Sequence, residues 1–529
     1  MAIVLVISPP NSNQLFDGIT ASGAVPRPED LTDWANLPNL GVLTLASAIA
    51  ELPDVEPVYI DGTVVAWPDI LDFVTDAADD ILAVCVSVLT ASYETALALL
   101  RHTKAVRPEI VTILGNDHFT AMHVQCLQNN HALIDYGFVG NEVVGPFRAL
   151  IGDLARGDLR APGHYPGLVC WTPSGVVATP QAPEPVFTAH RFELIDRVFD
   201  HTGKYRENFR ARVGPRLEQL LGATLELGTP LELARGCIKF SRDDACTFCS
   251  IQYGGMWKNS VPGAREAWDT IAHAFGSGYG FLSLTADELP LTFGALLREM
   301  AAAAPGWWRD LGELDRPVFG GYARADGLSN PRHAATLRAL NIRYLMVGLD
   351  AGSATSLGAL NKPLAPVKDN DATYRAERMF QHNIDALKIA RDEGLFVKAG
   401  FVLGHLGMDA RLLAQNVESI CSIIDHGTEA IASSDIEVLS PEPGSTDFRY
   451  LTEPELATAA AARLGLRIAD EDVRERIAKQ HRDLDVIDRE RAMDNYTQAV
   501  MPELTLDDLA AARATVRNHC KAKGVLVGE

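Results

Sequence analysis

The sequence predicts an α/β protein that opens on a doubly wound parallel sheet, continues through further strand–helix units to about residue 450, and closes in a helical region. Three observations carry this. Short β-branched runs alternate with helical stretches from the first residues onward, the pattern of a parallel sheet with helices on both faces. The run Ile81–Val88 is almost wholly apolar, as a strand buried on both faces must be. From residue 450 on, Ala, Leu, Arg, Asp and Glu recur at helical spacing, as in Glu453–Leu464 and Leu506–Lys521, which predicts helices packed as a cap or closing as a lid.

Composition narrows the function. The chain has 529 residues, room for three or four domains at roughly 150 residues each. Its 47 Lys and Arg against 69 Asp and Glu leave a formal charge of −22. Phosphate backbones are held by surplus cations, so nucleic acid is not an expected partner. A hydrophobic fraction of 47% is ordinary for a globular enzyme. No apolar run reaches the roughly 18 residues that span a bilayer. Ala2–Ser8 lacks the flanks of a signal peptide and reads as a first strand. The expected setting is the cytoplasm, with no membrane partner.

The first segment, residues 1–150, offers strands at Ile3–Ile7, Val58–Ile60, Ile81–Val88, Val111–Leu114 and Tyr136–Val139. Helices are expected at Gly41–Leu52, Pro68–Ala77, Ser92–Thr103 and Ala121–Asn129. In such sheets ligands bind at the carboxyl ends of the strands. Those ends are small, polar or glycine-rich: Ser8-Pro9-Pro10-Asn11 and a polar loop to Asn39, Asp61-Gly62, Ser87 to Tyr93 with Thr90, Gly115-Asn116-Asp117-His118, and Gly140-Asn141-Glu142. Each alone is ordinary turn chemistry; five in register point to a ligand. Together they resemble the cobalamin-binding domain in front of many radical S-adenosylmethionine (SAM) enzymes, whose strands end in Pro-Pro, a Gly-Gly-Pro-His-like turn and Gly-Glu-Gly-Glu. The resemblance implies cobalamin contacts at Pro9, Ser87, Thr90, Asn116, Asp117, His118, Gly140, Asn141 and Glu142. Histidine-ligating cobalamin domains carry Asp-x-His-x-x-Gly after the first strand, and this chain does not. The resemblance therefore implies a corrinoid without a histidine on cobalt, with Leu89–Ser92 as the candidate for its lower face.

Residues 151–228 read as a connector. It holds a hairpin over His164–Ala178 with a Pro-Ser-Gly turn, a proline-rich spacer Pro180–Pro185, and a polar helical stretch His190–Leu221. Then come Cys237, Cys246 and Cys249, in Ala-Arg-Gly-Cys and Cys-Thr-Phe-Cys. Five other cysteines stand singly and read as small buried hydrophobes. Two readings of the trio are open. Zinc wants four ligands; three thiolates suit an iron–sulfur cluster with one open iron. The flanking residues resemble the cluster loop of radical SAM enzymes, in which three cysteines hold a 4Fe-4S cluster whose fourth iron binds SAM. That family usually has three residues between the first two cysteines; here there are eight, Ile238–Ala245. The longer loop adds only ~0.9 kcal/mol of closure entropy.

Residues 229–449 supply the remaining units: Gly280–Glu288 ending in two acids, Pro317–Asp326 ending in Arg324-Ala-Asp, Tyr344–Ser353 carrying Asp350, Phe396–Gly404, Ile431–Leu439, and then Pro441-Glu-Pro-Gly-Ser445. The series resembles the ordered segments of a partial (β/α)6 radical SAM barrel, with Asp350 where Glu is usual and Asn361-Lys362 in keeping. It implies SAM contacts at Phe248, Asp287, Glu288, Arg324, Asp350 and Ser353, at the barrel's carboxyl mouth. Residues 450–529 form the helical cap. Taken whole, the resemblance implies a cobalamin-dependent radical SAM enzyme. Its expected reaction is C-methylation of an unactivated carbon in a small-molecule or natural-product intermediate, with a flavodoxin or ferredoxin-type electron donor. Ring rearrangement or cyclisation without methyl transfer is the alternative, and a corrinoid-binding sensor the non-enzymatic one.

Overall fold

A computed structural model describes residues 1–12, 36–181, 187–239, 244–251, 258–364 and 371–527. The polar loop before Asn39, part of the proline-rich spacer and the middle of the first cysteine span lie largely outside them. By compactness the chain divides into two units: residues 1–231 with 269–282, and residues 232–268 with 283–529.

In the first unit five parallel strands alternate with helices: β1 (Ala2–Ser8), α1 (Leu40–Ile49), β2 (Val55–Asp61), α2 (Trp67–Asp76), β3 (Ile81–Ser87), α3 (Tyr93–Val106), β4 (Val111–Gly115), α4 (Asp117–Asn130), β5 (Tyr136–Phe138) and α5 (Val144–Arg156). The connector hairpin, β6 (Leu168–Thr172) and β7 (Gly175–Ala178), adds two antiparallel strands, giving the order β2-β1-β3-β4-β5-β6-β7. β1 lies between β2 and β3, so the order reverses at the β1/β3 junction. That switch point opens the crevice where doubly wound sheets bind ligands. The apolar β3 sits centrally, with Ala83, Val84, Cys85 and Val86 buried. Burying each large side chain such as Leu5, Ile7 or Phe147 contributes roughly 1.5–3 kcal/mol. Two further helices, α6 (His201–Arg212) and α7 (Gly214–Leu221), precede β8 (Gly228–Leu231).

In the second unit β9 (Ala234–Arg235) and β10 (Lys258–Asn259) form a small antiparallel ribbon. The chain then runs through α8 (Ala264–Gly276) and β11 (Phe281–Leu284), whose residues 269–282 belong to the first unit, to α9 (Gly294–Ala302). From there β12 (Val318–Arg324), α10 (Ala325–Leu328), α11 (Pro331–Ala339), β13 (Ile342–Asp350), α12 (Ala354–Ala359), α13 (Ala372–Asp392), β14 (Phe396–Leu403), α14 (Ala410–Gly427) and β15 (Ile431–Val438) repeat the strand–helix theme. β12 to β15 pair in parallel, each with the next in sequence. Along β14, Val397, Ala399, Phe401 and Leu403 are buried while Lys398, Gly400 and Val402 are half-buried. One face thus packs under helices and the other lines an open interior, as in a partial barrel. Short links fix the loops at the strand ends. After β13, the Gly352 amide donates to Asn416 Oδ1 at 2.7 Å, and a Cβ there would meet the Asn416 backbone carbonyl at 2.4 Å.

The C-terminal helices α15 (Thr446–Thr452), α16 (Pro454–Leu464), α17 (Glu471–His481), α18 (Arg489–Val500) and α19 (Leu506–Ala522) belong to this unit. α19 packs on α14 and β15, and the two-residue β16 (Leu526–Val527) pairs with β15. α18 sends the Tyr496 hydroxyl to Asp447 on α15 at 2.5 Å. Burial pushes the Asp447 carboxyl up to about 6, against the hydrogen bond from Tyr496. The folded value exceeds the unfolded one, so this group's contribution is full when it is protonated and is lost as pH rises through about 6. Asn at this position cannot ionise. Denaturant titrations of wild type and Asp447→Asn from pH 4 to 8 should show the wild type losing ground between about pH 4 and 6 and running level with the variant above that. Parallel curves would contradict the assignment.

Candidate active site

The site in the second unit begins with a tight turn. The Cys249 amide donates to the Cys246 carbonyl at 3.1 Å, placing Thr247 and half-buried Phe248 at the tip. Cys246 is buried, and Cys237 and Cys249 are partly exposed. All three thiols lie within electrostatic reach of one another. Burial pushes Cys237 up to about 11 and Cys249 up to about 12. Neutral thiols of this kind become thiolates when positive charge arrives. Three buried cations already stand near Cys246: Lys239, Arg324 and Lys362.

Each cation is held by a different element. Arg324, the last residue of β12, makes paired 2.9 Å bonds to Asp326 and a third, at 2.8 Å, to the Lys362 carbonyl. Burial opposes the Asp326 charge, yet the guanidinium holds that carboxyl below its usual range. Lys362 is ion-paired with Asp350 at the end of β13, both side chains 7% exposed. Asp350 has φ 59°, which turns the strand end and shifts its register against β14. Lys239 lies inside the long cysteine span and donates to carbonyls of the turn after α12.

The other expected SAM contacts divide into two groups. Asp287 lies within electrostatic reach of Cys249, and Arg324 and Glu288 of Cys237. Glu288, however, is fully buried. Its carboxylate accepts the Leu291 and Thr292 amides and the Thr292 hydroxyl at 2.7–3.0 Å. It shapes the turn behind Asp287 and presents no open carboxylate. Ser353 caps α12, accepting the Ser356 amide at 3.1 Å and donating to Ser356 Oγ at 3.0 Å. Sequence reading missed Lys239 and the buried His405, whose Nε2 meets Ser356 Oγ at 3.1 Å. The signal available for Lys239 was a lone lysine two residues past Cys237.

These residues suit an iron–sulfur cluster. Three thiolates carry three negative charges, and three cations surround them. A single zinc needs its ligands gathered within ~2.3 Å of one point. Among the described residues no three His, Cys, Asp or Glu side chains are so gathered; a cluster instead holds its thiolates on separate irons.

In the first unit the ends of β3, β4 and β5 carry most of the expected corrinoid contacts. Ser87 Oγ receives Asn116 Nδ2 at 3.0 Å, and Asn116 (φ 82°) caps α4 through the Asp117 amide at 2.8 Å. Burial pushes the Asp117 carboxyl upward. His118 is buried: its Nδ1 shares a 3.2 Å hydrogen bond with Thr90 Oγ1, and its ring lies 4.4 Å from that of Tyr93. It fixes Thr90 and is not presented to a ligand. The Gly140 amide donates to Thr120 Oγ1 at 3.2 Å, with half-buried Asn141 and Glu142 beside it; Pro9 is buried at the end of β1. The edge suits a corrinoid: Leu89 is 45% exposed, Asn116 is exposed, and a Cβ on Gly115 would meet only the Phe138 carbonyl, at 3.8 Å.

Comparison with known proteins bears on the front segment and on the fold. Residues 35–145 match the family model of the B12 binding domain. No curated protein matches the sequence. Among solved structures, the chain is similar to the radical S-adenosylmethionine methyltransferase TsrM from Kitasatospora setae with cobalamin and a 4Fe-4S cluster bound. The TM-score is 0.61 at 15% identity, over 86% of this chain and 78% of that one. TsrM with its tryptophan substrate and a SAM analogue gives 0.60 at 16% identity, over 86% and 76%. OxsB, a cobalamin-dependent S-adenosylmethionine radical enzyme with aqua-cobalamin and SAM bound, gives 0.59 at 14% identity, over 89% and 62%. At such identities the shared property is the fold. Among the described residues no helix is long and apolar enough to cross a membrane.

The Lys362–Asp350 pair yields a direct test. Lys362→Met should destabilise the second unit by about 3–5 kcal/mol by stranding a buried carboxylate. The double variant Lys362→Met/Asp350→Leu should regain most of that in denaturant unfolding. A single variant as stable as the wild type would refute a buried pair.

Proposed function

From a fold shared with cobalamin-dependent radical SAM enzymes, we propose that this chain uses a 4Fe-4S cluster, SAM and cobalamin to methylate an unactivated carbon of a small molecule, such as a natural-product intermediate. The observation that carries the reading is the cysteine trio set among three buried cations, in a chain whose front segment matches a B12 binding domain. When bound, these groups supply a hydrogen-abstracting radical and a transferable methyl group.

The chain's own residues bind, orient and shield. Cys237, Cys246 and Cys249 would hold three irons, leaving one for the amine and carboxylate of SAM. Asp287, within electrostatic reach of Cys249, would meet a SAM amine. Arg324 and Lys362 offset thiolate charge and keep their own partners. Phe248, at the turn tip, excludes water. In the front domain Ser87, Thr90, Asn116, Gly140, Asn141 and Glu142 offer donors and acceptors to the amide rim of a corrin. Asp117 supports that edge from the first turn of α4. His118, locked on Thr90, would leave cobalt without a protein nitrogen. Reduction would come from a flavodoxin or ferredoxin-type donor.

A methyl donor must be replenished as well as used, so two SAM molecules are expected per product. One becomes S-adenosylhomocysteine and the other 5′-deoxyadenosine. Anaerobic turnover of reconstituted protein with labelled SAM, followed by mass spectrometry, should find both in amounts matching the methylated product. Deoxyadenosine without S-adenosylhomocysteine, and a product of unchanged carbon count, would favour ring rearrangement instead. Alanine at any of the three cysteines should abolish SAM cleavage and iron uptake; retained zinc without iron would defeat the proposal.

A second expectation concerns the corrinoid. Paramagnetic resonance of the cob(II)alamin form should lack nitrogen splitting from an axial base, in wild type and His118→Ala alike. Splitting that disappears in His118→Ala would overturn the assignment of that histidine to Thr90.

A further inference from the structure

Eight residues separate Cys237 from Cys246, and both ends of that span, Ile238–Lys239 and Asp244–Ala245, are described. The two ends are tied to one turn, Asn361-Lys362-Pro363, just past α12. From the first end, the Lys239 ammonium, 3% exposed, donates to the Asn361 carbonyl and, at 2.6 Å, to the Pro363 carbonyl. Among the described residues its neighbour of opposite charge is Asp244, at 3.6 Å. From the turn, Asn361 Nδ2 donates to the carbonyls of Asp244 at 3.2 Å and Ala245 at 2.9 Å. The Thr247 amide donates to the Leu360 carbonyl at 3.1 Å. Beside Lys239, the Ile238 amide donates to Thr292 Oγ1 at 3.0 Å. Asn361 has φ 50°, in the left-handed region that asparagine tolerates better than most residues. The turn therefore both accepts from one end of the span and donates to the other.

We infer, building on the cofactor reading above, that this turn is a clamp giving the eight-residue span the closure of a short cluster loop, and that Lys239 is a positioning residue whose fixed charge raises the cluster's reduction potential. The physical case has two parts. Hydrogen bonds tie both described ends of the span to one turn, so less of the chain between Cys237 and Cys246 is left to be closed by its own entropy. A buried ammonium held mainly by neutral carbonyls keeps most of its field, and Cys246 lies within it. One-electron reduction adds negative charge to a cluster, and a neighbouring fixed cation favours that state. Arg324 and Lys362 each sit against a carboxylate at closer range, so among the described residues Lys239 is the least neutralised of the three.

The test uses reconstituted full-length protein, redox titration with dithionite as electron source, and paramagnetic resonance of the reduced cluster. At the wild-type midpoint, Lys239→Met with full iron should show a reduced-to-oxidised ratio about tenfold lower, a shift of about 59 mV for one electron. Lys239→Arg, which keeps the charge, should restore the ratio. An unchanged ratio in iron-replete Lys239→Met overturns the electrostatic role. If Lys239→Met holds no iron, Lys239→Arg decides: a wild-type potential supports the role, and a shifted one overturns it. Asn361→Ala keeps the charge and loosens the clamp, so it should release iron to a chelator about tenfold faster with its potential unchanged. Release at the wild-type rate overturns the clamp. Wild-type protein that takes up no cluster would instead refute the cofactor reading itself, which separates the two failures.

Discussion

The second unit is organised around one electrostatic constraint: positive charge buried beside Cys246 must be held without neutralising it completely. A buried ion costs several kcal/mol unless partners replace water. The fold supplies those partners from strand ends. β12 ends in Arg324 and turns at once into the short α10, whose Asp326 takes the guanidinium. β13 ends in Asp350, bent into a left-handed backbone so that its carboxylate meets Lys362. The turn at Asn361 adopts the same unusual backbone and exposes carbonyls to Lys239. Non-glycine residues in that region cost of order 1–3 kcal/mol each. Two of them within twelve residues indicate that the ion network over-determines the backbone, and the cysteine loop inherits its position from it.

Much of the fold was legible because burial imposes periodicity. Ile81–Val88 reads as a central strand from its lack of polar residues, and β3 is central. The hairpin at Pro173-Ser174-Gly175 was equally readable, since a turn chemistry brackets two β-branched runs. Its placement was not: nothing local says that Leu168–Thr172 extends the first sheet beside β5. Edge pairing is decided by backbone groups that every residue carries, so sequence patterns do not record it. Helix limits moved by a few residues where capping side chains set them, as Asn39 does for α1 and Asn116 for α4.

The site was less evenly legible. The cysteine spacing announces a metal centre by chemistry alone, because thiols at such spacing have few other uses. Carboxylates are harder. Asp287 and Glu288 are adjacent and look alike in sequence, but a three-residue offset to Leu291 lets Glu288 fold back onto its own turn, as side chains at helix and turn starts do. His118 likewise follows a strand end, where ligand contacts are expected, yet its ring is buried against Tyr93. Lys239 and Asn361 are 122 residues apart, and the clamp they form depends on carbonyl directions that only the folded backbone defines.

The first unit shows the complementary rule: polar groups that are mutually satisfied close a sheet end instead of opening it. At β2 the Asp61 carboxylate accepts the Tyr205 hydroxyl at 2.6 Å, and Tyr205 shares 2.8 Å with Tyr59. The Asp61 amide reaches His201 at 3.1 Å, and Tyr59 also takes the Asn39 amide at 2.8 Å. Asp61 is buried, as are both tyrosines and His201. Such a network rigidifies when complete and is costly to open. It joins α6 to the end of β2 and occupies the Asp61 carboxylate and both phenols. The ends of β3 and β4 differ, with Leu89 and Asn116 standing in solvent and Gly115 uncovered. Five strand ends look equally polar in sequence; packing separates the end of β2, whose polar groups are taken by its neighbours, from the ends of β3 and β4, which stand open to a bulky ligand.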